Sequence, residues 1–218
     1  MSGSQTSDLV ALSYFARPDS INFDIAAGVL RTARGTRLCG VNHDFLRGFV
    51  GACVHEAGPA AFGIVASCGR HFGRRLASRV EDELGAELGR SIRTLVMHEF
   101  DGVLRQLWRT FGMGEVEFDW ATGQSSGSIP VTLRHSPALG IQIEEDRRDA
   151  LMTGLLEGFV NHFTDTPLTC VQTLVSKGPA ETEECFVLVP GEAAENVRGW
   201  VTAGAPHEIV VERLARSR

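Results

Sequence analysis

The sequence predicts an α+β fold in which an antiparallel sheet packs against a layer of about four to five helices. Apolar and polar residues alternate through the segment EVEFDW, as is typical of an antiparallel strand with one buried face. Apolar residues recur three and four positions apart through several longer stretches, which is the periodicity of amphipathic helices. The predicted strands and helices come in groups and do not alternate, and this order favours α+β over α/β.

The first half of the chain predicts a strand pair followed by helices. Residues 21–41 have a strand-like pattern interrupted by Gly35, which indicates a hairpin. A helix follows through FLRGFVGACVHEA and ends at Gly58–Pro59, and a later helix runs from about Ser91 to Phe111. The helix between them has an apolar stripe predicted to face the core, formed by Ala61, Val65, Cys68, Phe72 and Leu76.

The second half predicts a hairpin, a helix and a second hairpin. GQSSGS forms the turn of the first hairpin, and Pro130 places its return strand at a sheet edge because proline has no backbone N–H to donate. The helix spans roughly residues 149–163, and the closing strands are CVQTLVS and CFVLV. The inward side chains of the first hairpin are predicted to be Val116, Phe118, Trp120, Ile129, Val131 and Leu133.

Length, composition and charge predict a cytoplasmic protein built around one main domain. We expect a disordered leader over residues 1–20, the domain over 21–190, and an extension over 191–218 that packs on the same domain. A net charge of −6 disfavours binding to nucleic acid and to anionic membranes. The sequence shows neither a long uninterrupted apolar run nor a signal peptide, so no membrane insertion is expected.

The motifs of common catalytic sites are incomplete. His55–Glu56 and His98–Glu99 lack the second histidine of HExxH, so neither predicts a zinc protease. The segment GQSSG resembles a nucleophile elbow in letters, but it lies between two predicted strands and not at a strand-to-helix corner. No catalytic residue is therefore predicted.

A series of glycine-containing motifs resembles the 4-vinyl-reductase domain family, whose fold is related to the small subunits of the TRAPP tethering complex. The resemblance covers roughly residues 30–189. Its carriers, in order, are Gly58-Pro-Ala-Ala with Gly69 and Gly73, the GMGEVEF junction, Ser136–Pro137, Gly154-x3-Gly158, and a closing strand pair with Gly178 and Cys185. The resemblance implies a domain of the ligand-binding type in which a sheet and a helical layer enclose an apolar cavity.

That family includes tetrapyrrole-pathway accessory proteins and sensory modules of aromatic-responsive regulators. The implied role is to carry or sense an apolar, aromatic or tetrapyrrole-like small molecule. Aromatic residues on the predicted inward faces suit such a cavity. The candidate ligand-binding residues are Phe62, Phe72, Phe100, Leu107, Trp108, Phe118, Trp120 and Phe159.

The family resemblance also bears on metal content and on assembly. Relatives hold a structural zinc near the closing hairpin, but the family's glutamate and cysteine positions are Val171 and Leu174 here, and only Cys185 remains. We therefore expect no metal and no other cofactor, since a structural zinc site needs four ligands. A homodimer through the helical layer is expected by analogy, with Gly69 and Gly73 allowing the helices to approach closely.

Two other functions remain open from the sequence. A protein-interaction scaffold of the TRAPP type would have a filled core and a large exposed apolar patch. An enzyme or accessory factor of tetrapyrrole or aromatic metabolism would have a cavity with two titratable groups that face one point.

Overall fold

A computed structural model describes residues 14–138, 141, 149–174 and 183–217. Two antiparallel sheets are formed, one of three strands in the order β1-β2-β3 and one of four strands in the order β4-β5-β7-β6. The strands are β1 (Ile21–Asp24), β2 (Val29–Thr32), β3 (Arg37–Leu38), β4 (Glu115–Phe118), β5 (Ile129–Arg134), β6 (Leu168–Leu174) and β7 (Glu183–Pro190). The predicted α+β class and antiparallel pairing are confirmed, although the strands divide between two sheets.

The helices are α1 (His43–Ala57), α2 (Ala61–Leu88), α3 (Met97–Thr110), α4 (Trp120–Ser126), α5 (Ala150–Val160), α6 (Gly191–Thr202) and α7 (His207–Arg216). Helix α3 starts at Met97, later than predicted. Ser91 instead begins one 3-10 turn, Ile92–Thr94, and accepts the Arg93 N–H with its side chain. The buried Glu99 carboxylate accepts the Val96 N–H and so closes the first turn of α3.

The four-stranded sheet lies between two layers of helices. Its inner face packs against α2, α3 and α5 in the main core, to which β5 contributes Val131 and Leu133. Its outer face packs against α6 and α7, where Val187 and Val189 contact Val197 and Val210. Residues 191–217 are thus two helices that cover the back of the sheet.

Helices α2 and α5 cross with their backbones in direct contact. A Cβ atom added to Gly69 or Gly73 would lie closer than 3.0 Å to a backbone carbonyl oxygen of α5. The relation is reciprocal, because a Cβ atom on Gly154 or Gly158 would collide with a carbonyl oxygen of α2. Only glycine permits this backbone-to-backbone contact.

These glycines correct two predictions. The buried face of α2 passes through Gly69 and Gly73, so Cys68 and Phe72 of the predicted stripe point to solvent. Hydropathy spacing does not detect a helix face formed by glycines, which contribute little apolar surface. Both glycines pack within one chain, and they therefore do not support a contact between two chains.

The strand predicted as EVEFDW ends before its tryptophan. Asp119 caps a short helix, since its carboxylate accepts the Thr122 N–H (2.9 Å) and the Thr122 hydroxyl (2.6 Å). Trp120 is consequently the first residue of α4, and most of the predicted GQSSGS turn is helical. The other inward residues predicted for this hairpin are buried as expected, namely Val116, Phe118, Ile129, Val131 and Leu133.

Pro130 does not mark an edge, because β5 lies between β4 and β7. The N and O atoms of one residue in an antiparallel strand face the same neighbouring strand. The Pro130 carbonyl accepts the Asp119 N–H on the β4 side, just where the chain leaves β4 and turns into α4. The missing N–H therefore removes no bond to β7.

Part of the predicted leader packs into the domain. Tyr14 and Phe15, which fall within the expected leader, are buried in the main core. The Tyr14 hydroxyl and those of Thr32 and Thr36 all donate to the buried Glu83 carboxylate of α2. This carboxylate ties the N-terminal segment and the three-stranded sheet to α2, while residues 1–13 lie outside the described residues.

Gly69→Ala is expected to lower the free energy of unfolding by at least about 1–3 kcal/mol, because its methyl group would overpack the α2–α5 crossing. The matched control is Gly63→Ala on the same helix, where nothing lies within 4 Å of an added Cβ atom. That control should be neutral or stabilising by up to about 1 kcal/mol, as alanine favours helices. Urea denaturation measures the free energy of unfolding of both variants. Equal effects of the two substitutions would contradict the close contact between α2 and α5.

Candidate functional site

Six aromatic side chains form a closed circuit of ring contacts between the sheet and the helices. They are Phe100, Trp108, Phe118, Trp120, Phe159 and Phe163, called here the aromatic cluster. Successive centroid distances around the circuit are 6.4 Å (Trp108–Phe118), 4.8 Å (Phe118–Trp120), 6.0 Å (Trp120–Phe100), 5.2 Å (Phe100–Phe163), 5.5 Å (Phe163–Phe159) and 5.1 Å (Phe159–Trp108). Such distances are favourable for aromatic pairs.

Local structure explains why these rings converge. Phe100 and Trp108 are eight positions apart on α3, so they lie on one helix face. Phe159 lies near the C-terminal end of α5, and Phe163 follows four residues later in the turn just beyond the helix. Phe118 and Trp120 stack at the junction of β4 and α4, where the Asp119 cap turns the chain.

The structure places the predicted site residues in three environments. Phe100, Leu107, Trp108, Phe118, Trp120 and Phe159 belong to the main core or pack against it. Phe62 packs in a separate cluster under α1, and Phe72 is 45% exposed on α2, so these two do not join the others. Phe163 also joins the aromatic cluster; its spacing of four from Phe159 places it on the same predicted helix face, but it was not among the predicted ligand-binding residues.

Trp108 carries a buried polar group that the described residues leave unpaired. The side chain is fully buried, and its Nε1 has no hydrogen-bond partner among them. The neighbouring Trp120 differs, because its Nε1 donates to the Asp101 carboxylate at 2.9 Å. A buried indole N–H usually has an acceptor, since leaving it unpaired costs free energy.

An open cleft of about 960 Å³ lies beside the cluster, between α3, the β4–α4 junction and α7. Phe118 and Trp120 line both the cleft and the cluster. Arg105 lies on its wall and binds the carboxylates of Asp101 (2.7 Å) and Glu117 (3.9 Å). The cluster therefore reaches a solvent-filled surface at Trp120.

Two buried carboxyl groups form a second polar feature at the start of α5. Asp149 caps α5 by accepting the Met152 N–H at 2.9 Å, and its own N–H donates to Gln172 Oε1 at 2.6 Å. Gln172 Nε2 donates in turn to Glu184 Oε1 at 3.1 Å. Asp149 Oδ2 and Glu184 Oε2 have no partner within the described residues.

Burial shifts the protonation of both groups toward the neutral form. Removal from water raises the pKa of Asp149 to about 6. Removal from water and the nearby Asp149 charge raise the pKa of Glu184 to about 8. At neutral pH the pair thus retains a proton that free carboxyl groups would have lost.

The raised pKa values predict a stability that falls with rising pH. The native state binds more protons than the unfolded chain above about pH 4, so the free energy of unfolding decreases as pH rises from about 4 through about 8. Glu184→Gln keeps the hydrogen bond to Gln172 but removes the titratable group. The loss of unfolding free energy between pH 5 and pH 8 should therefore be smaller than in the wild type by on the order of 1 kcal/mol or more.

Denaturation at pH 5 and pH 8 provides the measurement. The control is Glu56→Gln, which changes a carboxylate whose side chain is 81% exposed and should leave the pH slope of the wild type intact. If the Glu184→Gln variant had the same slope as the wild type, the titration of Glu184 would not contribute to the pH dependence of stability, and the prediction would be wrong.

Comparison with known proteins shows the fold but not a family. Models of known protein families do not match the chain, and neither do curated proteins. Among solved structures, the phenol-responsive sensory domain of the transcription activator PoxR, solved with phenol, is similar with a TM-score of 0.62 and 14% identity. The match covers 93% of this chain and 98% of that domain.

A vinyl-4-reductase family protein from Methanocaldococcus jannaschii matches with a TM-score of 0.46 and 12% identity, over 69% of this chain and 82% of that one. The similarity to the PoxR domain agrees with the resemblance that the sequence carries to a family with aromatic-responsive sensory modules. This chain therefore shares the fold of the PoxR domain.

Proposed function

We propose that this protein is a cytoplasmic domain that binds a small aromatic molecule, as a sensor or carrier, without catalysing a reaction. The observation that carries the proposal is the Trp108 N–H within the aromatic cluster, which has no hydrogen-bond partner among the residues that the structure describes. A ligand with a ring and one hydrogen-bond acceptor would complement both features, since the rings supply apolar contact and the indole supplies the single polar contact. Phenol, the ligand of the PoxR domain, has this chemistry.

The size of the cluster limits the ligand. Rings that touch at 4.8–6.4 Å leave no interior space for a tetrapyrrole within the described residues. A single-ring compound also requires these rings to move apart, but by the smallest amount among the ligands expected from the sequence, and we therefore propose this class. A tetrapyrrole would have to occupy the open cleft of about 960 Å³ instead.

The positions of Cys170 and Cys185 support a domain that works without zinc. Cys170 points to the main core on the inner face of the sheet. Cys185 lies next to Phe186 on β7, whose ring is in that core, so its side chain points to the outer face. Two thiols on opposite faces of a sheet cannot bind the same metal ion. Elemental analysis that found one zinc per chain would contradict this proposal.

An exposed apolar surface supports the homodimer that we also propose. Phe45 of α1 is 60% exposed, and Ile64 and Phe72 of α2 are 44% and 45% exposed. These residues belong to the stretch His43–Leu88, which is long and apolar enough to cross a membrane by length and composition alone. Only 22% of its most apolar window is buried within the domain, so much of this apolar surface is left uncovered. A second copy of the chain would cover this surface, which we call the α1–α2 face.

Trp108→Phe tests the ligand proposal. The variant keeps an aromatic ring but removes the N–H, so phenol affinity should fall roughly threefold to tenfold, which corresponds to one hydrogen bond. Toluene has nearly the same shape but no acceptor, and its affinity should stay unchanged. Isothermal titration of both compounds measures the difference between them.

Trp200→Phe is the matched control, because Trp200 belongs to the outer cluster beneath α6 and α7. It should leave the affinity of both compounds unchanged. Equal losses for phenol and toluene in Trp108→Phe would mean that the N–H binds no ligand. No binding of either compound to the wild type would refute the proposed function.

Phe72→Glu is expected to convert the dimer to a monomer, because a carboxylate would have to be buried in the α1–α2 face. Light scattering at micromolar concentration should give twice the 23.6 kDa of one chain for the wild type and 23.6 kDa for the variant. Phe23→Glu, at a phenylalanine of β1 that is 63% exposed, should remain dimeric. A monomeric wild type would rule out the homodimer.

A further inference from the structure

The aromatic cluster is closed, so a ligand can reach the Trp108 N–H only if one of the rings moves. Three of the six rings are buried in the main core. The other three, which are Phe100, Trp120 and Phe163, are only partly buried and follow one another in the circuit. A ligand that comes from solvent therefore has to pass one of these three outer rings.

Among these outer rings, Trp120 faces the open cleft. Phe100 and Phe163 do not line the cleft, whereas Trp120 lines it together with Phe118. The Trp120 ring stands between Phe100 at 6.0 Å and Phe118 at 4.8 Å. Phe118 in turn contacts Trp108. Rotation of the Trp120 ring into the cleft would therefore open the circuit close to Trp108, and the cleft of about 960 Å³ has room for that ring.

This rotation would leave the sheet in place. Phe118 is fixed by the pairing of β4 with β5, where it lies opposite Val131. Trp120 lies beyond the end of β4, at the start of the seven-residue helix α4. A change of side-chain rotamer moves the ring without moving the backbone, and such changes are fast in residues that are partly exposed. Trp120 is thus the movable ring at the mouth of the cleft, and Phe118 is the fixed one.

A hydrogen bond to Asp101 holds the Trp120 ring against the cluster. Trp120 Nε1 donates to Asp101 Oδ1 at 2.9 Å. The other carboxylate oxygen, Oδ2, accepts Arg105 Nε at 2.7 Å and is thereby fixed in orientation. The Asp101 side chain is only 16% exposed, so water competes little for it. Because a hydrogen bond to a charged acceptor is stronger than a neutral one, this bond opposes rotation of the ring.

From these contacts we infer that the cleft is the entrance to the aromatic cluster, with Trp120 as its gate and Asp101 as the residue that holds the gate closed. This entrance depends on the proposed function, since a gate is needed only if an aromatic ligand reaches Trp108. The ligand first occupies the cleft and then passes Trp120 into the cluster. Asp101 is a positioning residue, which sets the rate of passage and does not contact the bound ligand.

A second way into the cluster would pass Phe163. The Arg93 guanidinium lies over that ring, 5.5 Å from its centroid, and Arg93 Nε donates to Glu81 at 2.9 Å. Glu81 also binds Nε2 of His162, the residue before Phe163, at 2.7 Å. A carboxylate therefore holds this outer ring as well, through its neighbours, although Phe163 does not border the cleft. Glu81 provides the matched control for Asp101.

Asp101→Ala tests the gate with 4-fluorophenol as the ligand. Loss of the bond to Trp120 should raise the association and dissociation rate constants together by about tenfold, because the barrier falls in both directions. The Kd should stay nearly unchanged. Asp101→Asn keeps a neutral acceptor and should give a smaller rise, while Glu81→Ala should change neither rate constant. Exchange spectroscopy by ¹⁹F NMR measures the dissociation rate constant, and isothermal titration measures the Kd, from which the association rate constant follows.

A joint rise of both rate constants in Asp101→Ala, with Glu81→Ala like the wild type, would support the gate. A comparable rise in Glu81→Ala would overturn it, since the ligand would then enter past Phe163. Faster dissociation without faster association in Asp101→Ala would overturn it too, because Asp101 would then stabilise only the bound state. If the wild type binds 4-fluorophenol and Asp101→Ala leaves both rate constants unchanged, the gate alone is refuted. A wild type that does not bind it would refute the proposed function itself.

Discussion

The glycine-to-glycine crossing of α2 and α5 is the constraint on which the rest of the domain depends. Gly69 and Gly73 of one helix and Gly154 and Gly158 of the other bring two backbones into direct contact. Side chains cannot separate the helices there, so both pack against the inner face of the sheet within one core. Any residue larger than glycine would push the helices apart.

The crossing also fixes the positions of the two buried polar features of the interior, which are the carboxyl group of Asp149 and the N–H of Trp108. Asp149 caps the N-terminal end of α5, and Phe159 lies at its C-terminal end in the aromatic cluster. Because α5 is held rigidly between them, the ring that contacts Trp108 has a defined place relative to the sheet. An indole N–H without a partner among the described residues, in such a fixed surrounding, would act as a specific recognition group, because a ligand that enters the cluster would meet one donor in a defined place.

The sequence predicts the sheet better than the site, for physical reasons. Alternation in EVEF and IPVTLR is confirmed because Val116, Phe118, Ile129, Val131 and Leu133 all face the main core, and the helices of that core follow apolar spacing. Helical spacing could not orient α2 correctly, because its buried face contains glycines, and Phe72 was therefore assigned inward. The Asp119 cap is a local contact with Thr122, but the alternation of EVEFDW continues past it and favoured a longer strand. The buried pair of Asp149 with Glu184 arises from contacts between separate segments, which no local pattern records.

The central claim is that the Trp108 N–H binds the ligand, and its indole proton resonance tests this most directly. With ¹⁵N-labelled tryptophan, saturating phenol should move the Trp108 signal, identified by its loss in Trp108→Phe, downfield as a new hydrogen bond forms. The Trp200 signal, from the far side of the sheet, should stay in place. A Trp108 signal that does not move at saturating phenol would contradict the account.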